Sequence, residues 1–337
     1  MLAALQHERP DRTPRDFWAE PPTWNRLLAY VRHGDRERVL QHLGVDIRHL
    51  DAIAPPERKV GHGLWRNMWG EQYVYKETGW GPMRQDVTGA LARAQSLSEL
   101  ESFDWPQVDD LDYSQLLDAC ERHQEYALVY GSADVWQRPA LVRGWQRMFI
   151  DMVERPEWAH FLGRTFCDFY LEDYTRAAEI TNGRFDLYLL ISDLGSQRAP
   201  LISPTMFREF VAPYVKRMVD CIHSLSGRVL FHSCGAIHPL IQELVEVGID
   251  MLDPIQPVGP EMRPERLKCE FGHHLTFHGG IDAQALLPRG TPADIRAEVR
   301  RYCRTLGEGG GYVLSPAHFF QPDVPPENII AVYDEAP

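Results

Sequence analysis

Residues 228–253 read RVLFHSCGAIHPLIQELVEVGIDMLD. An apolar run, Val229-Leu230-Phe231, stops at His232-Ser233-Cys234-Gly235. An amphipathic stretch opened by Pro239 follows, Gly248 closes it, and a second apolar run ends at Asp253. This is the strand, crossover helix, strand unit of a parallel sheet. The alternation repeats on both sides of this stretch. Strands are predicted at 15–19, 45–50, 126–131, 185–192, 228–232, 249–253, 275–278 and 312–315, and helices at 24–33, 113–123, 140–154, 157–180, 204–225, 239–247, 292–306 and 326–333. Ser203-Pro204 and Thr291-Pro292 place a capping hydroxyl before a proline at the first helical position, and Gly227 and Gly248 stand where helices should stop. Eight strands in one α/β alternation predict a single (β/α)8 barrel domain over residues 1–337. Residues 50–110 interrupt the pattern: LWRNMWGEQYVYKET (64–78) reads as a hairpin or meander, an aromatic-rich excursion able to fold over the barrel mouth as a lid or to pack as core.

Composition narrows the function. Of 337 residues, 44% are hydrophobic and 25% charged, enough apolar material for a large core without disulfides. The 35 Lys and Arg against 48 Asp and Glu leave a formal charge of −13, which repels phosphate backbones and anionic lipid, so neither nucleic acid nor membrane is an expected partner. No signal-like segment and no long apolar run is present, and the six scattered cysteines form no CxxC pair. A cytoplasmic protein with free thiols is expected.

Side chains at the C-terminal ends of barrel strands converge on one mouth. Here those ends carry Asp193 and Gln197, His232 and Cys234, Gln256, His278 and Asp282, and His318 and Gln321. Asp193, Gln256 and His278 are candidate catalytic residues. Glu20, Gln197, Asp282 and Gln321 are candidate substrate contacts, with Trp18, Tyr75 and Trp136 as aromatic surfaces for a ring. Asp282 also stands where it would cap the next helix, and the three aromatics suit core packing equally well.

In an extended segment, residues i and i+2 point to the same side, so His232 and Cys234 can present imidazole and thiolate together. Zinc accepts both, at about 2.0 Å for nitrogen and 2.3 Å for sulfur, and a catalytic zinc needs a third protein ligand and an open position. His318 is the natural third. Water, substrate, or a carboxylate such as Asp193 or Glu20 would complete the set. The alternative is that Cys234 is a small buried hydrophobe and His232 a hydrogen-bond donor.

The C-terminal half, from SDLGSQRAPLISPTMFREFVAPYVKRM (192–218) through FHSCG (231–235), FHGGID (277–282) and GGYVLSPAHFFQPDVPPENII (310–330), closely resembles the uroporphyrinogen decarboxylase superfamily, as does HERPDRTPRDF (7–17) near the start. The resemblance implies a (β/α)8 barrel. One branch decarboxylates porphyrinogens without metal through an early arginine-rich loop of the type MRQAGR. This chain has PRDFWAEPPTWNR (14–26) there and lacks the paired arginines. The other branch comprises zinc-dependent methyltransferases with His-x-Cys at one strand end and a late Cys in a Ser-Pro-Gly-Cys-like context. His232-Ser233-Cys234 matches, and Ser315-Pro316-Ala317-His318 puts histidine where that branch has cysteine.

The resemblance thus implies one Zn2+ on His232, Cys234 and His318. One thiolate and two imidazoles leave the site with a positive charge, whereas two thiolates and one imidazole leave none, so an oxygen-centred anion becomes as acceptable a fourth ligand as a thiolate. The expected activity is methyl transfer between a small-molecule oxygen or sulfur and a corrinoid-binding protein. Cobalamin would be carried only by that partner, because no Asp-x-His-x-x-Gly stretch occurs here. A homodimer is a further expectation, with WQRMFIDM (145–152) as candidate interface or core. The competing expectations are a metal-free decarboxylase or lyase, with Asp193 or Asp51 and Arg15, Arg143 or Arg198 holding a carboxylate, and a non-catalytic metabolite-binding member.

Overall fold

The structure, a computed structural model, describes residues 1–79 and 81–334. Its strands are β1 (Ile47–Leu50), β2 (Arg58–Lys59), β3 (Leu64–Arg66), β4 (Gln72–Thr78), β5 (Gly81–Thr88), β6 (Ala127–Ala133), β7 (Leu187–Ile191), β8 (Arg228–His232), β9 (Met251–Asp253), β10 (Thr276–His278) and β11 (Tyr312–Val313). Among the described residues, β1, β6, β7, β8, β9, β10 and β11 pair in that order into one curled, wholly parallel sheet. Spatial order equals chain order, so each helical crossover moves the chain on by one strand.

The expected first strand, 15–19, is reduced to isolated parallel bridges at Arg15–Leu314 and Ala19–Phe320. Asp16 N–H donates to the Leu314 carbonyl, and Asp46 N–H to the Arg15 carbonyl, each at 2.9 Å. The segment thus bonds to chain continuing both outer strands of the sheet. It makes no continuous ladder because Pro14 has no N–H and the Arg15 N–H goes to the Asp46 carboxylate at 2.9 Å rather than to a carbonyl.

Alternation along the strands divides the core in two. Ile47, Val129, Leu187, Leu189, Leu230, Met251 and Val313 meet Trp18 on the concave side of the sheet. Val229, Phe231, Leu252 and Phe277 face the helices and join the larger outer core. One period further along, the concave side carries His49 after Ile47, His232 after Leu230 and Asp253 after Met251. The polar rim therefore follows from the same pleat that fills the interior.

Helices agree with expectation where capping chemistry is strong. Ser203 and Thr291 accept from the N–H groups of Met206 and Asp294, and Gly248, in the left-handed conformation, ends the helix His238–Val247. Two predicted helices are split. The 140–154 stretch is Gln137–Arg143 and Trp145–Glu154, broken at Gly144 with φ +83°, and 204–225 is Pro204–Phe210 and Ala212–Ser224, broken ahead of Pro213. The helix Pro264–Phe271, between β9 and β10, was not expected. Within 145–152, Met148 and Met152 are buried, and Trp145 and Phe149 pack on each other and on Trp136.

The 50–110 excursion contains the antiparallel sheet β2-β3-β4-β5. Trp69 anchors it on Phe166, Phe169 and Tyr170 of the long helix Pro156–Thr181. Glu71 ties it to Arg138, just past β6. Beneath it lies a cavity of about 340 Å³ whose lining includes Asp51, Arg84, Tyr130, Arg138 and Asp173.

Candidate metal centre

His232 is the last residue of β8, and register places it beside Ile191 of β7 and Asp253 of β9. The chain then turns through Cys234 and Gly235, where it touches the loop after β7. Gly235 has φ +92°, and a Cβ there would lie 2.6 Å from both Gly195 C and Ser196 O. A Cβ on Gly195 would meet the Cys234 carbonyl, also at 2.6 Å. Only two glycines permit this approach. It lets Asp193 Oδ1 accept from the Cys234 N–H at 2.8 Å, which fixes the cysteine backbone. His318 arrives from the other side, on a loop held by the Ile281–Pro316 and Ala19–Phe320 bridges.

One donor atom from each of His232, Cys234 and His318 lies within 4.8 Å of the others, and His232 Nε2 is 3.5 Å from Cys234 Sγ. Tetrahedral zinc with bonds of 2.0–2.3 Å needs ligand separations of roughly 3.3–3.8 Å, so the group needs only small side-chain adjustments to close on an ion. The donor set fits the metal. Burial and the neighbouring His232 lower the His318 pKa, keeping that imidazole neutral and able to bind. Burial raises the Cys234 thiol pKa, and His232 offsets this only in part. The thiol therefore stays protonated until a cation replaces the proton.

Behind His232 runs a buried chain of alternating imidazoles and carboxylates. His232 Nδ1 donates to Asp253 Oδ2, and His278 Nδ1 donates to Asp253 Oδ1. His278 Nε2 donates to Asp16 Oδ2 at 3.1 Å, and the same oxygen accepts from Trp18 Nε1 at 2.5 Å and lies 2.9 Å from His49 Nε2. Both nitrogens of His278 face carboxylates, so both must carry protons. Burial alone would lower its pKa, yet Asp253 and Asp16 push it up to about 9. Burial likewise opposes ionisation of Asp253, and the two imidazoles outweigh it, holding the carboxyl down at about 2. Trp18 stacks on the His232 ring at 5.8 Å.

The predicted site residues fall into three groups. His232, Cys234 and His318 are brought together. Gln197, Gln256, Asp282 and Gln321 line a cavity of about 370 Å³ that also touches Cys234 and His318, with Asp193 holding Cys234 and Trp18 on His232 beside it. Asp282 also caps the following helix, accepting from the N–H groups of Gln284, Ala285 and Leu286. Glu20 sits at the start of the helix Pro21–Val31, its N–H bonded to the Phe320 carbonyl. His278 is fully buried and is linked to His232 through the Asp253 carboxylate, with Trp18 packed against both rings. Trp136 is buried too, and donates to the Asp193 carbonyl at 3.1 Å. Tyr75 lies in the excursion sheet, bonded to Glu57. Of the arginines considered for a carboxylate, Arg143 is committed to a buried pair with Asp151 and to the Leu91 carbonyl. Sequence reasoning placed Asp253 at a strand end without giving it a site role, and missed Asp16, His49 and Gln284. Asp253 and His49 were detectable as inward residues two positions after Met251 and Ile47.

A curled parallel α/β sheet with a His-Cys-His donor group at its C-terminal rim defines the structural class. A family model described as uroporphyrinogen decarboxylase (URO-D) matches residues 143–336, more than half of the chain, and the protein belongs to that family. The uroporphyrinogen decarboxylase of Pseudoalteromonas translucida is 26% identical over 269 residues, covering 76% of this chain and 70% of that protein. That of Actinobacillus succinogenes is 39% identical over 127 residues, covering 36% of this chain and 34% of its own length. Among solved structures, a methyltransferase from Methanosarcina mazei superposes with a TM-score of 0.66 at 17% identity, covering 98% of this chain and 95% of that one, a likeness of fold. No helix among the described residues is long and apolar enough to cross a membrane.

Proposed function

We propose that this protein is a zinc-dependent methyltransferase that moves a methyl group between the oxygen or sulfur of a small molecule and a corrinoid carried by a partner protein. The convergence of His232, Cys234 and His318 carries the reading. We also read segment 14–20 as the eighth stave of a closed barrel, on the strength of its bonds to both outer edges of the sheet, and the excursion sheet as part of the mouth's rim.

A bound zinc would act as a Lewis acid, stabilising the substrate heteroatom as an anion. The chain's own residues prepare for that. Asp253 holds the His232 ring and its proton at Nδ1, leaving Nε2 as the donor, an arrangement that typically accounts for 10–100-fold in metal affinity. Trp18 covers one face of His232 and excludes water from it. Asp193 positions Cys234, and the cavity carboxamides orient the substrate. His278 is a positioning residue acting through Asp253.

Metal analysis of the purified protein tests the reading. About one zinc per chain is expected in the native protein, and little in His232→Ala, Cys234→Ser or His318→Ala. In Asp253→Asn, competition with a chelator should show zinc affinity lowered about 10–100-fold. Absence of bound zinc, with unchanged ligand binding in His232→Ala, would leave family membership alone.

A further inference from the structure

The cavity beside the donors is lined by four carboxamides, those of Gln197, Gln256, Gln284 and Gln321, and by no lysine or arginine among the described residues. Its one carboxylate, Asp282, is occupied by the three N–H groups that it caps.

A single backbone group sets the polarity of three of these amides. The Gly235 N–H can only donate, so the Gln256 atom that receives it at 2.6 Å is Oε1. The Gln256 NH2 must then donate, which it does to Gln197 Oε1 at 3.1 Å, and the Gln284 NH2 donates to the same oxygen at 3.1 Å. Gln197, an exposed residue of the cavity lining, therefore accepts twice through its oxygen, and its own NH2 is left as a donor. Gln256 is buried, so the chain of amides is anchored at its inner end.

Resting on the metal-dependent reading above, we propose that Gln197 is a specificity-determining residue and that the cavity takes a small, uncharged, oxygen-rich molecule. An oxygen of that ligand accepts from the Gln197 NH2 while its sulfur or ether oxygen lies against His232, Cys234 and His318. A ligand that carries carboxylates besides its metal-binding thiol is disfavoured, because the thiolate already meets the single positive charge of the donor site and the lining has no lysine or arginine to compensate the desolvation of a further carboxylate. Carboxamides instead meet hydroxyl groups as donor and acceptor alike. A volume of about 370 Å³ lies near the lower end of the range for small-molecule sites.

The test uses the intact protein loaded with Co2+ and titrated with 1-thioglycerol, an uncharged thiol diol, and with mercaptosuccinate, a thiol dicarboxylate. Thioglycerol should saturate the visible cobalt–thiolate absorption at a concentration about tenfold lower, as expected when a polar site loses a matched partner. Gln197→Leu should remove about that factor for thioglycerol and leave mercaptosuccinate unchanged. Equal or tighter binding of mercaptosuccinate, or an unaltered thioglycerol affinity in Gln197→Leu, overturns the proposal. Failure to take up cobalt would count against the metal reading alone. Ligand-observed NMR on the metal-free protein then decides the specificity: a preference for thioglycerol supports it, and no preference overturns it.

Discussion

At the scale of single residues, the donors and their neighbours form a balanced set of charges. Burial disfavours a charged His232, but Asp253 and Cys234 outweigh it and lift its pKa well above the ordinary histidine value, while Cys234 keeps its proton. Without metal, the pair carries the single positive charge of the His232 imidazolium. With Zn2+, one thiolate and neutral imidazoles, the charge is again +1. Loading should therefore release about two protons per ion near neutral pH, measurable by calorimetry in buffers of different ionisation enthalpy. Release of one proton or none would mean that Cys234 or His232 is not a ligand. His232 and Cys234 were legible in the sequence because they share one short extended stretch, and His318 was legible through its Ser-Pro-Ala-His context. The Asp253–His278–Asp16 chain was not, because its members come from β9, β10 and the bridged segment 14–20, far apart in the chain and side by side only in the fold.

At the scale of elements, the contact between the loops after β7 and β8 decides where the cysteine points. Gly235→Ala combines a left-handed backbone with a Cβ placed 2.6 Å from main-chain atoms, so neither can yield cheaply. It should destabilise the protein by about 2 kcal/mol or more in urea unfolding. Gly183→Ala, also left-handed but with no neighbour within 4 Å, should cost less. Equal losses would show that the loop contact contributes nothing. Most strands of the parallel sheet were legible to within two residues, because their apolar runs are short and end in polar groups. The split helices were not, since Gly144 and Pro213 sit inside otherwise continuous amphipathic patterns. Gln284 escaped notice for a related reason: a loop amide acquires meaning only once Gln197 is beside it.

At the scale of the whole molecule, the buried chain links stability to pH. His278 has its pKa raised to about 9, so its contribution is complete below the ordinary histidine value near 6.5 and fades as pH rises through 9. Asp253 is held down at about 2, so its contribution is complete above the ordinary carboxylate value near 3.8 and fades as pH falls toward 2. Stabilisation from this pair is fullest between about pH 4 and 6.5. Urea unfolding of the metal-free protein should show a loss on the order of 3 kcal/mol between pH 6 and 10. His278→Gln, which cannot titrate, should reduce that slope and leave the part due to His232, whose pKa is raised as well, and an unchanged slope would remove His278 as a source. The seam between residues 14–20 and 314–320 has a further consequence for biosynthesis. A nascent chain that has left the ribosome only as far as β10 already holds His232 and Cys234, yet the main chain of residues 14–20 can bond only on the Asp46 side, because the 314–320 side of their seam is still to be made. The bridges from residues 14–20 to 314–320, and with them the third donor His318, can then be added only after translation has passed His318.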